Sequence, residues 1–190
     1  MMKYIYNIDN LKNHNENTVF EEKIGKKAQN LLELAANGFN VPHFSVITNR
    51  YFKEVILKEI EMYNQEAGNN DEIKDWDAVF SGNTERKIEN IIRIIKNHKI
   101  KEEFEKEIEN ALNEESYYAV RSSSIEEDSS NFSFAGQFET YLYVKKENML
   151  EKIKEVWISS FSNHVMKYRK EGKINNEINV PAVIIQEMVN

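Results

Sequence analysis

Cysteine is absent from the 190 residues, which excludes a disulfide framework and any thiolate metal site. Long apolar runs are absent too. No stretch approaches the ~18 residues that a membrane-spanning helix needs. The opening residues, MMKYIYNIDN, lack the apolar centre of a signal peptide. Basic charge is in the minority, with 25 Lys and Arg against 32 Asp and Glu and a net charge of −7. A nucleic-acid binder would want a basic face, so nucleic acid is not expected as the main partner. No GxSxG, GxxxxGK[ST] or Ser-His-Asp pattern occurs. His14, His43, His98 and His164 have no carboxylate or second histidine at metal-ligand spacing, and they read as structural or solvated. Together these absences point to a cytoplasmic protein without a membrane segment.

What is present can form a core, since 41% of residues are apolar. KYIYNI, residues 3 to 8, reads as a short strand. From Lys26 the period changes. Ala28, Leu31, Leu32 and Ala35 recur at helical spacing, and Gly38 suits a helix C-terminus. VPHFSVIT, 41 to 48, reads as a strand. Phe52, Val55, Ile56 and Ile60 mark a helix, and residues 64 to 76 a polar connection. Ile88, Ile91, Ile92 and Ile95 form one helical stripe, and Phe104, Ile108 and Leu112 another. Residues 50 to 113 thus read as a charged helical insert. Strand signals return at 117 to 122 and 138 to 145. The segment 147 to 170 is one helix, or two broken near Ser159 and Ser160. VPAVIIQEMV, 180 to 189, is apolar on both faces and should be a central strand. The expected class is α/β or α+β. A central strand usually has sequence after it, so the chain reads as a piece of something longer. A stand-alone chain would have to cover that strand's edge, for example by forming a homodimer.

Three stretches carry candidate chemistry. Lys26 and Lys27 lie where a helix begins, beside unpaired N–H groups and partial positive charge. A bound anion would relieve that conflict, so Gly25-Lys26-Lys27 is a candidate phosphate site, although two solvated lysines would look the same. Along 117 to 122, Tyr117, Ala119 and Arg121 share a face opposite Val120. The guanidinium of Arg121 suits phosphate oxygens, and equally a carboxylate partner. A long polar loop follows, then Gly136, where backbone can approach a ligand closely, and Thr140, which offers a hydroxyl. Glu126, Glu127 and Asp128 read as a solvated loop rather than metal ligands. At the last strand, Gln186, Glu187 and Met188 turn polar and could edge a cleft, or simply close the core.

The order of these stretches resembles the N-terminal nucleotide-binding region shared by phosphoenolpyruvate synthase (pyruvate, water dikinase), pyruvate, phosphate dikinase and rifampicin phosphotransferase. IGKKAQNLLELAANGFNVPHFSVIT is similar to the family's Gly-Gly-Lys helix and its Val-Pro-x-x-Phe-x-Ile-Thr strand. AVRSSSIEEDSSNFSFAGQFETYLYV is similar to its Ala-Val-Arg-Ser-Ser and Ser-Phe-Ala-Gly-Gln block. VWISSFSNHVMKYR and VIIQEMV are similar to the segments that follow. The resemblance implies the first part of an ATP-grasp module, spanning 1–190. It implies ATP phosphates held by Lys27 and Arg121 and lined by Gly136 and Thr140, with Gln186, Glu187 and Met188 bordering the base. It implies Mg²⁺ whose ligands lie outside this chain, a histidine carrier domain, and pyruvate as acceptor. An antibiotic acceptor, or a nucleotide-binding protein without catalysis, are the alternatives. One departure stands out: the family's second glycine is Lys26 here.

Overall fold

The computed structural model describes residues 4–9, 24–66, 73, 75–124, 139–172, 177–178 and 180–189. Its strands are β1 (Ile5–Asn7), β2 (Phe44–Ile47), β3 (Tyr118–Ser123), β4 (Thr140–Val144) and β5 (Ala182–Glu187). They form one sheet in the order β1-β2-β5-β3-β4. Every pairing in it is antiparallel. The class is therefore α+β, and of the two classes expected α/β is set aside. The apolar run before Gln186 is the middle strand, as its composition predicts. Its partners β2 and β3 occupy both of its edges. The open edge that suggested a homodimer is therefore not at this strand.

Helix α1 (Lys26–Ala36) covers one face of the sheet. Ala28, with Leu31, Leu32 and Ala35, packs against Phe44, Val46, Ala182 and Ile184. The helix stops at Gly38, whose φ of 83° suits glycine. There the Gly38 N–H donates to the Ala35 carbonyl at 3.3 Å and the Phe39 N–H to the Leu34 carbonyl at 3.1 Å. That pair of bonds satisfies carbonyls the helix end would otherwise leave open.

The opposite face carries the helical segment. A π-helical turn, Phe52–Ile56, runs into α2 (Leu57–Glu66). Then come α3 (Trp76–Phe80), α4 (Thr84–Asn97) and α5 (Glu102–Asn110). After β4, α6 (Met149–Ser159) and α7 (Asn163–Gly172) follow, so of the two alternatives, one helix or two broken near Ser159 and Ser160, the second is found. Sequence periodicity misses α3, which is too short to show a repeat. Its cap was readable, however: Asp75 Oδ1 accepts the Ala78 N–H at 2.8 Å. The insert is not a separate body. Ile91, Ile95, Phe104 and Ile108 share one buried cluster with Val120, Val183 and Ile185 of the sheet. Among the described residues no helix is long and apolar enough to cross a membrane.

Candidate functional site

The start of α1 sits on the end of β3. Gly25 precedes the helix with φ 74° and is buried. A Cβ there would lie 2.1 Å from the Ser123 carbonyl oxygen, so only glycine fits. Lys26 is already helical and its side chain is exposed. This explains how lysine is tolerated where the resemblance expects a second glycine: the left-handed backbone is needed only at Gly25.

Gly25 supplies no side-chain cap, and the cap comes from the strand instead. Ser123 Oγ accepts the Ala28 N–H at 3.1 Å, and the Ser124 carbonyl accepts the Lys26 N–H at 3.1 Å. The helix start therefore offers fewer backbone donors to an anion than the sequence suggests. Two of them hold α1 to β3, which places Lys27, half-buried in the first turn, beside the strand that carries Arg121.

Arg121 pairs across the sheet with Thr140 on β4 and with Ile184 on β5. Directly opposite residues share a face, so Arg121 and Thr140 lie on the α1 side, opposite the fully buried Val120. Among the described residues the guanidinium has one partner: its Nη1 donates to Gln186 Oε1 at 3.3 Å. That bond is long and goes to a neutral amide, while guanidinium has five N–H donors. Lys27, Arg121, Thr140 and Gln186 thus belong to one side of the sheet. Gly136 lies outside the described residues, as do Glu126, Glu127 and Asp128.

Glu187 behaves differently. It pairs with Tyr118 on the insert side, and its carboxylate accepts a hydrogen bond from the Ser116 hydroxyl. Its N–H donates to the His43 carbonyl at 2.8 Å, and the Met188 N–H to the Tyr117 carbonyl at 2.9 Å. The fold therefore brings Gln186 to Arg121, but not the Glu187 carboxylate.

Two features escape a reading of the sequence. The first is Tyr143, with φ 57°, the one non-glycine residue with positive φ among the described residues. It falls where the β3–β4 register shifts: Tyr118 pairs with Val144 but Val120 with Tyr141, one extra residue on β4. Such backbone costs about 1–3 kcal/mol and gathers at functional sites. The second is a relay in the helical segment that runs from the buried Tyr51 and His98 out to the exposed Glu59. The Tyr51 hydroxyl lies 3.1 Å from His98 Nε2, and His98 Nδ1 lies 2.5 Å from Glu59 Oε2. The Tyr51 oxygen also accepts the Lys101 N–H at 3.2 Å. The structural role read for His98 fits. The partners were hidden because they lie 39 and 47 residues away. Beside the relay, Lys154 donates to the Lys96 and His98 carbonyls, and burial pulls the pKa of its amine down. On β4, Tyr141 is pushed up to about 12, first by burial and then by the charges of Glu155 and Glu139.

Residues 21–190 match the family described as pyruvate phosphate dikinase, AMP/ATP-binding domain, and the chain belongs to that family. It is 36% identical over 177 residues to a probable phosphoenolpyruvate synthase of Archaeoglobus fulgidus, covering 88% of this chain and 23% of that protein. It is 33% identical over 180 residues to rifampicin phosphotransferase of Bacillus subtilis, covering 87% and 19%. It is 32% identical over 170 residues to the uncharacterized phosphotransferase YvkC of Bacillus subtilis, covering 87% and 18%. The chain thus spans about a fifth of the length of these relatives. The family indicated by the sequence motifs is the one found.

Proposed function

We propose that residues 1–190 are the N-terminal part of an ATP-grasp module in a phosphoenolpyruvate synthase-like phosphotransferase. On this reading Lys27 and Arg121 hold the ATP phosphates, with Gly136 and Thr140 lining them, and Gln186, Glu187 and Met188 border the base. An ATP phosphoryl group passes to a histidine on a separate carrier domain and from there to pyruvate. The similarity to rifampicin phosphotransferase carries a second reading of the acceptor, an antibiotic in place of pyruvate.

One observation supports the site most directly: α1 is fastened by Ser123 and Ser124 to the strand whose Arg121 faces the same side. A lysine at a helix start and an arginine two residues before the fastening serine then converge on one anion. Among the described residues Arg121 has only a weak neutral partner to exchange for phosphate oxygens. The chain's own part is positioning and neutralisation of charge, which suits phosphoryl transfer. Mg²⁺ bound to the phosphates would neutralise further charge. Among the described residues no group of three or more His, Cys, Asp or Glu could hold a metal ion. The protein ligands of Mg²⁺ belong, on this reading, to residues beyond this chain.

Calorimetric titration with MgATP tests the site. Arg121→Ala should weaken binding by roughly 1.5–3 kcal/mol, the scale of a hydrogen bond to a charged group. Unchanged affinity would remove Arg121 from the site. For the acceptor, the full-length protein incubated with ATP and either pyruvate or rifampicin should phosphorylate pyruvate, as read by phosphorus NMR. Phosphorylation of rifampicin alone would decide for the second reading.

A further inference from the structure

At the far end of the α1 face from Gly25 lies an exposed aromatic ledge. Tyr143 is 69% exposed and Tyr117 42%. Their rings meet edge to face, with centroids 6.2 Å apart and planes at 72°. Met188 ties the backbone of the two tyrosines together. Its Sδ lies 3.2 Å from the Tyr143 N–H, and its own N–H donates to the Tyr117 carbonyl at 2.9 Å. The Lys145 amine sits over the Tyr117 ring, 5.8 Å from its centroid. Tyr143 presents its ring from a left-handed backbone, at the extra residue of the β4 irregularity. Surroundings must hold a residue in that state, and ligand clamps are where such residues gather.

The ledge is also in line with the arginine. Tyr117, Ala119 and Arg121 alternate onto one side, and a rise of about 3.3 Å per residue sets Tyr117 roughly 13 Å from Arg121. That is the scale of an extended nucleoside triphosphate. An exposed aromatic surface suits a flat π system.

We infer that Tyr143, supported by Tyr117 and Met188, is the stacking surface for the base of the bound nucleotide. This rests on the nucleotide reading above and adds the residue that takes the base. Every nucleobase has a π face, so stacking is tolerant of base identity. Tyr143 therefore contributes affinity, and adenine is chosen over guanine elsewhere in the site.

The test titrates the 190-residue chain with MgATP, MgGTP and magnesium tripolyphosphate. Tyr143→Ala should weaken ATP and GTP by the same factor, roughly tenfold, and leave tripolyphosphate unchanged. Tyr143→Phe should restore both nucleotides, since the ring does the work. Tyr143→Gly separates this role from a structural one: it relieves the positive φ, so the thermal midpoint should hold or rise while ATP affinity falls as in the alanine variant. If Tyr143→Ala keeps full ATP affinity while Arg121→Ala loses it, the base sits elsewhere and this inference falls alone. If the unaltered chain binds neither MgATP nor MgGTP, the nucleotide reading falls and takes the ledge with it.

Discussion

On the helical side of the sheet, Tyr51 stacks on Phe104 at 4.1 Å and on Trp157 at 5.8 Å, and Tyr4 meets Tyr51 edge-on at 5.2 Å. On the α1 side the cluster is smaller, built on Ala28, Phe44, Val46 and Ile184, and it gives way to Arg121, Thr140 and Gln186. One sheet thus has a thick aromatic face and a thin one that turns polar. The thick face buries the large side chains that dominate core energetics. On the thin face the strand ends carry polar and exposed side chains in place of core. Stability and candidate chemistry therefore lie on opposite sides of the same five strands.

Mutation should weaken the two faces differently, and the largest effect belongs to the aromatic face. Trp157→Ala should cost about 3–5 kcal/mol in chemical denaturation, the usual range for emptying such a site. A loss below ~1 kcal/mol would mean that the stack is not the centre of the core.

Gly25→Ala comes next and acts on the thin face. The added Cβ meets the Ser123 backbone and the positive φ is strained, so stability should fall by at least about 1–3 kcal/mol. MgATP binding should fall with it, because α1 can no longer seat on β3. Full nucleotide affinity in a folded Gly25→Ala variant would show that the seating is irrelevant to binding.

Ser123→Ala is milder. It leaves the Ala28 N–H without its cap, at about 1 kcal/mol. The urea midpoint should drop with an unchanged slope.

The smallest expected effect is with pH. Tyr141 has its pKa raised from 10.0 to about 12, so the fold favours the neutral phenol. That stabilisation is complete below pH 10 and is lost as pH rises toward 12. Burial raises Tyr4 and Tyr51 as well, and they share the alkaline loss. Tyr141→Phe should make the decline in thermal midpoint above pH 10 shallower. An identical decline would assign it to the other tyrosines.

Much of this arrangement was readable because it is local. The spacing of Ala28, Leu31, Leu32 and Ala35 predicts α1, and Gly38 predicts its end. Alternation along 117 to 122 places Arg121 opposite Val120. The apolar run before Gln186 predicts a strand buried on both faces. These inferences need only the period of a helix or strand. The pairing of strands was not local. Antiparallel and parallel arrangements make the same demand on VPAVIIQEMV, so the sequence left α/β and α+β open.

The site divides in the same way. Composition and spacing alone mark Lys27 and Arg121 as side chains suited to phosphate, and their motifs carry the family. How they are joined follows from contacts between distant segments. Ser123 caps a helix 95 residues before it, and Gly25 is required by a carbonyl on β3. The Glu187 carboxylate turns away from Arg121, and Tyr143 is held in a left-handed turn by a register shift. Each depends on partners distant in the chain. Side-chain chemistry is carried by a residue alone, whereas capping, close approach and strain exist only when two segments meet.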